Sequence, residues 1–240
     1  MLLKTRGIIF RTLKYSETSI IADIYTKEKG LRSYIISGVR SKGAKTKIGL
    51  LQVASIVDMV VYHQDNTKLH RIKEIAAAHI YTSLPFDVRK SAIALFIIEL
   101  SQKTIKETEP NAPLFEFLFS CFTFLDKTTQ SFTNLHLFYS LGLSAYLGFM
   151  PSGEYSTKTP FFNLKEGGFE SQNMDNYCLN ETLSQYMSKL LQTTLGDIHT
   201  INMTTLNRRI LLEKIITYYK LHIDYMTDIH AHEVLHEVFG

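Results

Sequence analysis

Ser19-Ile-Ile-Ala-Asp-Ile-Tyr-Thr-Lys-Glu-Lys-Gly30 holds a strand and the turn that ends it. Ile20, Ala22 and Ile24 fall on one face and Ser19, Asp23 and Tyr25 on the other, with Ile21 the exception. That period of two belongs to a half-buried strand. Thr26–Gly30 reads as a turn, with Gly30 free to take positive φ. Upstream, Thr5–Leu13 is rich in β-branched and aromatic residues; downstream, Leu31–Val39 repeats the strand pattern. Val53–Tyr62 is apolar on both faces and is expected to be a central strand. The turn Gln64–Thr67 leads to a fifth strand, Leu69–Ile75. Five short strands separated by turn signals predict a small barrel or sandwich. The OB-fold is one five-stranded barrel that binds nucleic acid, and strand count alone does not separate it from an SH3-like barrel.

After Pro85 the period becomes helical. Asp87–Lys106 is apolar nearly all round and is expected to be buried. Leu114–Leu125 is denser still, and Asn134–Phe149 stops near Gly148 and Pro151. Pro160–Glu170 places apolar segments on either side of Gly167-Gly168 and reads as a β-hairpin. Asn180 caps a helix running to Leu191, Thr205–Tyr225 is the last long helix, and Ala231–Phe239 is a short terminal one. The reading is an α+β chain in two domains. Residues 1–80 form a five-stranded nucleic-acid-binding barrel, and residues 81–240 form a helical domain with a hairpin near 160–170.

The chain has 240 residues, 45% of them apolar and 20% charged, an ordinary globular composition. No apolar run approaches the ~20 residues of a membrane span, and Lys4 and Arg6 interrupt any signal-peptide core. A soluble cytoplasmic protein is expected. The two cysteines are too few for a disulfide framework, and Cys121 lies in an apolar run as a buried thiol would. The net charge of +3 conceals an uneven split. Residues 1–80 carry 14 Lys and Arg against six Asp and Glu, a net of +8; residues 81–240 carry 12 against 17, a net of −5. Such asymmetry points to a polyanion at the N-terminal domain.

The densest basic feature is the loop Arg40-Ser-Lys-Gly-Ala-Lys-Thr-Lys47, four cations without an acid. Arg40, Lys42, Lys45 and Lys47 are candidate phosphate contacts, joined by Arg32 on the third strand and by Arg11 and Lys14 at the end of the first. Tyr25 and Tyr34, with Tyr62, are strand aromatics on which bases could stack, since a cationic groove with stacking platforms suits single strands. A charge run is also what a solvated surface looks like, and strand tyrosines are often core. The charge partition favours binding.

His232 and His236 are four apart, a spacing that can chelate a metal, but no third ligand has a fixed place. They read instead as the polar face of a terminal helix. No phosphate-cradling Gly-rich loop, Gly-x-Gly-x-x-Gly, Gly-x-Ser-x-Gly or Cys-x-x-Cys occurs. The expectation is a binding protein, not an enzyme, without cofactor or metal.

Thr5-Arg-Gly-Ile-Ile-Phe10, Tyr15-Ser-Glu-Thr-Ser19, the Tyr25–Gly30 turn, Ser37-Gly-Val-Arg-Ser-Lys42, Leu50-Leu-Gln52, Leu147-Gly-Phe-Met-Pro151 and Glu233–Phe239 follow one another in an order that resembles the RecO family of recombination mediators. The resemblance implies an OB-fold followed by an α-helical domain. It implies binding of single- and double-stranded DNA, annealing of complementary strands, and recombinase loading with RecR and the C-terminal tail of single-strand DNA-binding protein. It also implies a nucleoid-associated place in a bacterial cytoplasm. Some members carry a four-cysteine zinc site after the Leu-Gly-x-x-Pro segment; here only Cys178 is near, so no structural zinc is expected. Alternatives are an RNA-binding barrel module, which the basic barrel alone does not separate from a DNA-binding one, and an enzyme with its site in the helical domain.

Overall fold

The structure is a computed structural model that describes residues 1–39, 48–64, 67–106, 108–173 and 176–240. In chain order its elements are β1 (Leu2–Lys14), β2 (Ile20–Thr26), β3 (Gly30–Ile36), β4 (Ile56–Tyr62), β5 (Leu69–Ala77), α1 (Val88–Thr104), α2 (Ala112–Lys127), α3 (Leu135–Tyr146), β6 (Phe161–Asn163), β7 (Gly168–Glu170), α4 (Glu181–Gln192), α5 (Thr205–His222) and α6 (Ala231–Phe239). They gather into two compact units. One comprises Met1–Ser83 with Ile105–Thr123; the other comprises Leu84–Thr104 with Phe124–Gly240.

The first unit is a closed five-stranded barrel of OB type, in the order β1-β2-β3-β5-β4. β1 is long because it serves two neighbours, pairing with β4 through Leu2–Ile8 and with β2 through Gly7–Lys14. A register shift between Ile9 and Arg11 bends it from one to the other. Gly7 sits where both pairings overlap, and a Cβ there would collide with the Ile24 side chain. β3 and β5 run parallel through Ser33–Ile35 and Leu69–Arg71, and this pairing closes the barrel. Ile9, Ile24, Tyr34, Ile36, Val57, Met59, Val61 and Ile72 fill the interior.

β4 departs from the expected strand. It begins at Ile56, since Ala54 takes a φ of 69°, outside the range of a strand. Its two faces also differ: Val57, Met59 and Val61 are buried, while Asp58 and Tyr62 are exposed. In a closed barrel every strand has one dry and one outer face, so none is central.

Residues 105–123 return to the barrel. Phe115 stacks on Tyr25 at 6.3 Å between ring centroids, and Tyr25 stacks on Phe10 at 5.6 Å. Gly30, at φ +61°, packs against the Glu109 backbone so closely that a Cβ would overlap its carbonyl oxygen.

In the helical unit, buried polar groups fix the packing. Ser101 and Tyr139 share a 2.6 Å hydrogen bond, the Tyr219 hydroxyl donates to the Ser140 carbonyl, and the Asn134 amide donates to the carbonyls of Ile198 and Ile201. Asn180 caps α4 by accepting from the Leu183 N–H at 2.9 Å. α1 carries one buried cation within its apolar surface: Lys90 Nζ donates to the carbonyls of Asp126 and Thr128, both at 3.1 Å, and lies over the Phe132 ring. The hairpin β6–β7 is present, with the turn one residue earlier than the Gly167-Gly168 pair suggests. Leu164–Gly167 make the turn, Gly167 at φ +68°, and Gly168 already belongs to β7. Asn163 Oδ1 accepts from the N–H groups of Lys165 and Glu166 and holds that turn.

His136 on α3 is buried, and burial, helped by the Arg208 charge and by His236, lowers its pKa to about 3. Its unfolded value is near 6.5, so below that pH the unfolded chain binds a proton that the native state refuses. Stability is therefore intact above about pH 6.5 and falls as pH drops toward 3, by up to ~1.4 kcal/mol per pH unit from this group. His136→Gln should flatten the dependence of the urea midpoint on pH across that window. A second prediction concerns the turn: Gly30→Ala should destabilise the barrel by about 3 kcal/mol, left-handed backbone and overpacking together, read as a lower urea midpoint.

Candidate nucleic-acid interface

Two grooves open on the outside of the barrel. The first, of about 750 Å³, is lined by Asp23 on β2, Lys29 in the β2–β3 turn, Leu31, Arg32 and Ser33 on β3, and His63, Thr67, Lys68 and His70 around the β4–β5 connection, with Thr108. Among the described residues three cations face one carboxylate there, and Asp23 is engaged by the Ser33 hydroxyl at 2.6 Å. The second groove, of about 580 Å³, is lined by Ser37, Tyr62, Gln64, Thr67, Leu69, His70, Arg71, Ile72 and Lys73. No acid lines it among the described residues. Lys73 pairs with Glu74 at 3.5 Å, an exposed contact that screening leaves weak.

Local structure sets these positions. The tight Thr26–Gly30 turn, held by a hydrogen bond from Thr26 Oγ1 to the Gly30 carbonyl, projects Lys29 at the groove rim. Arg32 shares the parity of the buried Tyr34 and Ile36, so it is half-buried at the end of an inward-facing row. Arg71 is directly opposite Tyr62 on β4, which places an exposed cation beside an exposed ring. Beneath both grooves lie the stacked rings of His63 and His70, 4.7 Å apart, with Tyr34 against His70 at 5.7 Å.

Among the residues expected from sequence, Arg32 lines the first groove. Arg11 is register-paired with Asp23 at its edge, while Lys14, opposite Ile20, lines neither groove. Arg40, Lys42, Lys45 and Lys47 lie outside the described residues, as do Asp65 and Asn66 of the expected turn. Two candidates are corrected. Tyr25 is 1% exposed and stacked between Phe10 and Phe115; Tyr34 is 0% exposed in the barrel core. A buried ring offers no face to a base. Tyr62, 47% exposed, is the strand tyrosine that does. Lys29, Lys68, Arg71 and Lys73 were visible in the sequence only as scattered charges; the barrel's register brings them together.

A third cavity, between Lys4, Arg6, Lys27 and the α2 residues Phe115, Glu116 and Phe119, is already compensated internally. Arg6 pairs with Asp58 at 2.8 Å and Lys27 with Glu116 at 2.7 Å. In the helical unit, a narrow cleft is walled by Leu212, Leu235 and Phe239 and edged by Arg208, Arg209, His136 and His236. His232 and His236 meet edge to face at 5.4 Å, and among the described residues no three His, Cys, Asp or Glu groups are placed to hold a metal ion. His222 serves the fold, stacking on Phe149 and bonding the Leu164 carbonyl through Nε2. Cys178 forms an isolated β-bridge with Asn163 of the hairpin, and its thiol faces the Glu170 carboxylate at 4.0 Å. Cys121 is buried, and burial pushes its thiol pKa up, which keeps it protonated and inert. No helix among the described residues is long and apolar enough to cross a membrane.

The family model for the recombination protein O N-terminal region matches residues 1–81, and that for the recombination protein O C-terminal region matches residues 85–225. The chain is 34% identical to a DNA repair protein RecO of Christiangramia forsetii, 32% identical to one of Phocaeicola vulgatus and 34% identical to one of Flavobacterium psychrophilum, each over the full length of both chains. The buried and exposed tyrosines should separate cleanly in a binding titration with single-stranded DNA. Tyr25→Phe and Tyr34→Phe should leave affinity within about twofold, whereas Tyr62→Ala, losing about 1–3 kcal/mol of stacking, should raise Kd at the groove that Tyr62 lines roughly 5- to 150-fold.

Proposed function

Because the chain belongs to the RecO family of DNA repair proteins, we propose that it binds DNA on the outside of its barrel and anneals complementary strands during recombinational repair. The observation that carries this reading is the first groove, where Lys29, Arg32 and Lys68 converge over the β2–β3 face and the β4–β5 connection. That face and that connection are where OB-folds take oligonucleotides. The loop cations Arg40, Lys42, Lys45 and Lys47 and the strand-end cations Arg11 and Lys14 add phosphate contacts around it. The mechanism is charge neutralisation: two strands repel each other, and a cationic surface lowers the repulsion while raising their local concentration. No nucleotide hydrolysis is required, and the double strand is held through the same backbone contacts.

The helical unit docks partners in this reading. The basic edge formed by Arg208 and Arg209 suits an acidic tail, such as the C-terminal tail of single-strand DNA-binding protein. Arg208 is pre-oriented, its guanidinium held by Asn134 Oδ1 and the Met203 carbonyl, both at 2.9 Å. Cooperation with RecR in recombinase loading rests on family membership.

Fluorescence anisotropy across a salt series tests the central part. If Lys29, Arg32 and Lys68 each neutralise a phosphate, the triple alanine variant should flatten the slope of log K against log salt by about 2, at ~0.7 per contact on a single strand. An unchanged slope would remove this groove from the binding surface. Matched RNA competing as well as DNA would redirect the reading to RNA.

A further inference from the structure

Both grooves border one short piece of chain. Thr67 and His70 line both, Lys68 lines only the first, and Leu69, Arg71, Ile72 and Lys73 line only the second. The start of β5 is thus a ridge between two basic channels. The pairing of β5 fixes it from both sides, parallel to β3 through Leu69–Arg71 and antiparallel to β4 through Arg71 opposite Tyr62. The His63–His70 stack and Tyr34 fill the space beneath, so the ridge has a packed base. The two channels differ in equipment. The first has Lys29, Arg32 and Lys68 around the engaged Asp23. The second has Arg71 and Lys73, the exposed ring of Tyr62 and the exposed side chain of Leu69, without an acid among its described lining residues. A cation beside an aromatic face is the minimal equipment for holding a single strand.

We infer that the two grooves are separate seats for two single strands of DNA, so that one molecule holds both partners of an annealing reaction on either side of the Thr67–His70 ridge. The inference rests on the DNA-binding reading above and adds to it the number and position of the strands. A single continuous cationic strip would need no dividing ridge, and a strand lying in the first groove leaves Tyr62, Arg71 and Lys73 free for a second. Each seat offsets the charge of its own strand, and the strands are brought within reach of each other without a second protein molecule.

Native mass spectrometry of the full chain with a thymidine oligonucleotide of about six residues, near the small end of single-barrel site sizes, tests this directly. Two oligonucleotides should bind per chain. Arg71→Ala with Lys73→Ala should remove one of them and leave the affinity for the other within about twofold. Lys29→Ala with Lys68→Ala should do the reverse. Each double variant, with unchanged thermal melting, should anneal long complementary strands at least tenfold more slowly while still binding one strand. One oligonucleotide per chain in the wild type, weakened by both variants, would mean one continuous site and would overturn the inference while leaving DNA binding intact. A second oligonucleotide that survives both variants would also overturn it, by placing that seat elsewhere. No bound oligonucleotide at low salt would remove the DNA-binding reading and this inference with it.

Discussion

Closure of the barrel by the parallel pairing of β3 with β5 is the constraint on which the rest of this structure depends. Without it, β1 could lie flat; with it, β1 must serve β4 over its first half and β2 over its second, bending at the Ile9–Arg11 register shift. At Gly7, where the two pairings overlap, the Ile24 side chain lies so close that any Cβ there would strike it. Closure also removes open sheet edges and leaves each strand one dry face, which Ile9, Ile24, Tyr34, Val57 and Ile72 occupy.

The outer face inherits what the interior cannot accept. Cations cannot enter a small dry core unpaired. Lys29, Lys68, Arg71 and Lys73, spread across 45 residues of sequence, are therefore collected on the outside around β3 and β5, with Arg32 half-buried at the end of an inward-facing row beside them. Their crowding is unfavourable to the isolated protein through like-charge repulsion, and a polyanion relieves it. Where acids line the surface alongside the cations, as Glu28, Asp58 and Glu116 do around Lys4, Arg6 and Lys27, it is left near neutral. The contrast between compensated and uncompensated regions of one barrel is the physical argument for where a nucleic acid lies.

Much of the architecture was legible in the sequence because it is written in periodicity. The alternation in Ile20–Thr26, the turn ending at Gly30, the Asn180 cap and the hairpin around Gly167 are local signals, and local chemistry settles them. Alternation tells which residues share a face but not which face is dry, so it does not show that Tyr34 points into the core; Tyr25, on the other face from Ile24, is covered by Phe115, more than 80 residues away in the chain. The second groove was illegible for the same reason. Arg71 meets Tyr62 through a register across β4 and β5 that contains its own irregularity at Val60–Val61, and no spacing rule predicts that partner. The return of residues 105–123 to the barrel had no sequence signal beyond the aromatic density of 115–124.

The central claim is that DNA lies against the outside of the barrel on both sides of the β5 start. Hydrogen–deuterium exchange, followed by mass spectrometry with and without a single-stranded oligonucleotide, tests it most directly. The account predicts slowed exchange in peptides covering residues 29–33 and 67–73, with little change in α3 and α5. Protection confined to the helical unit, with the barrel peptides unaltered at saturating DNA, would contradict it.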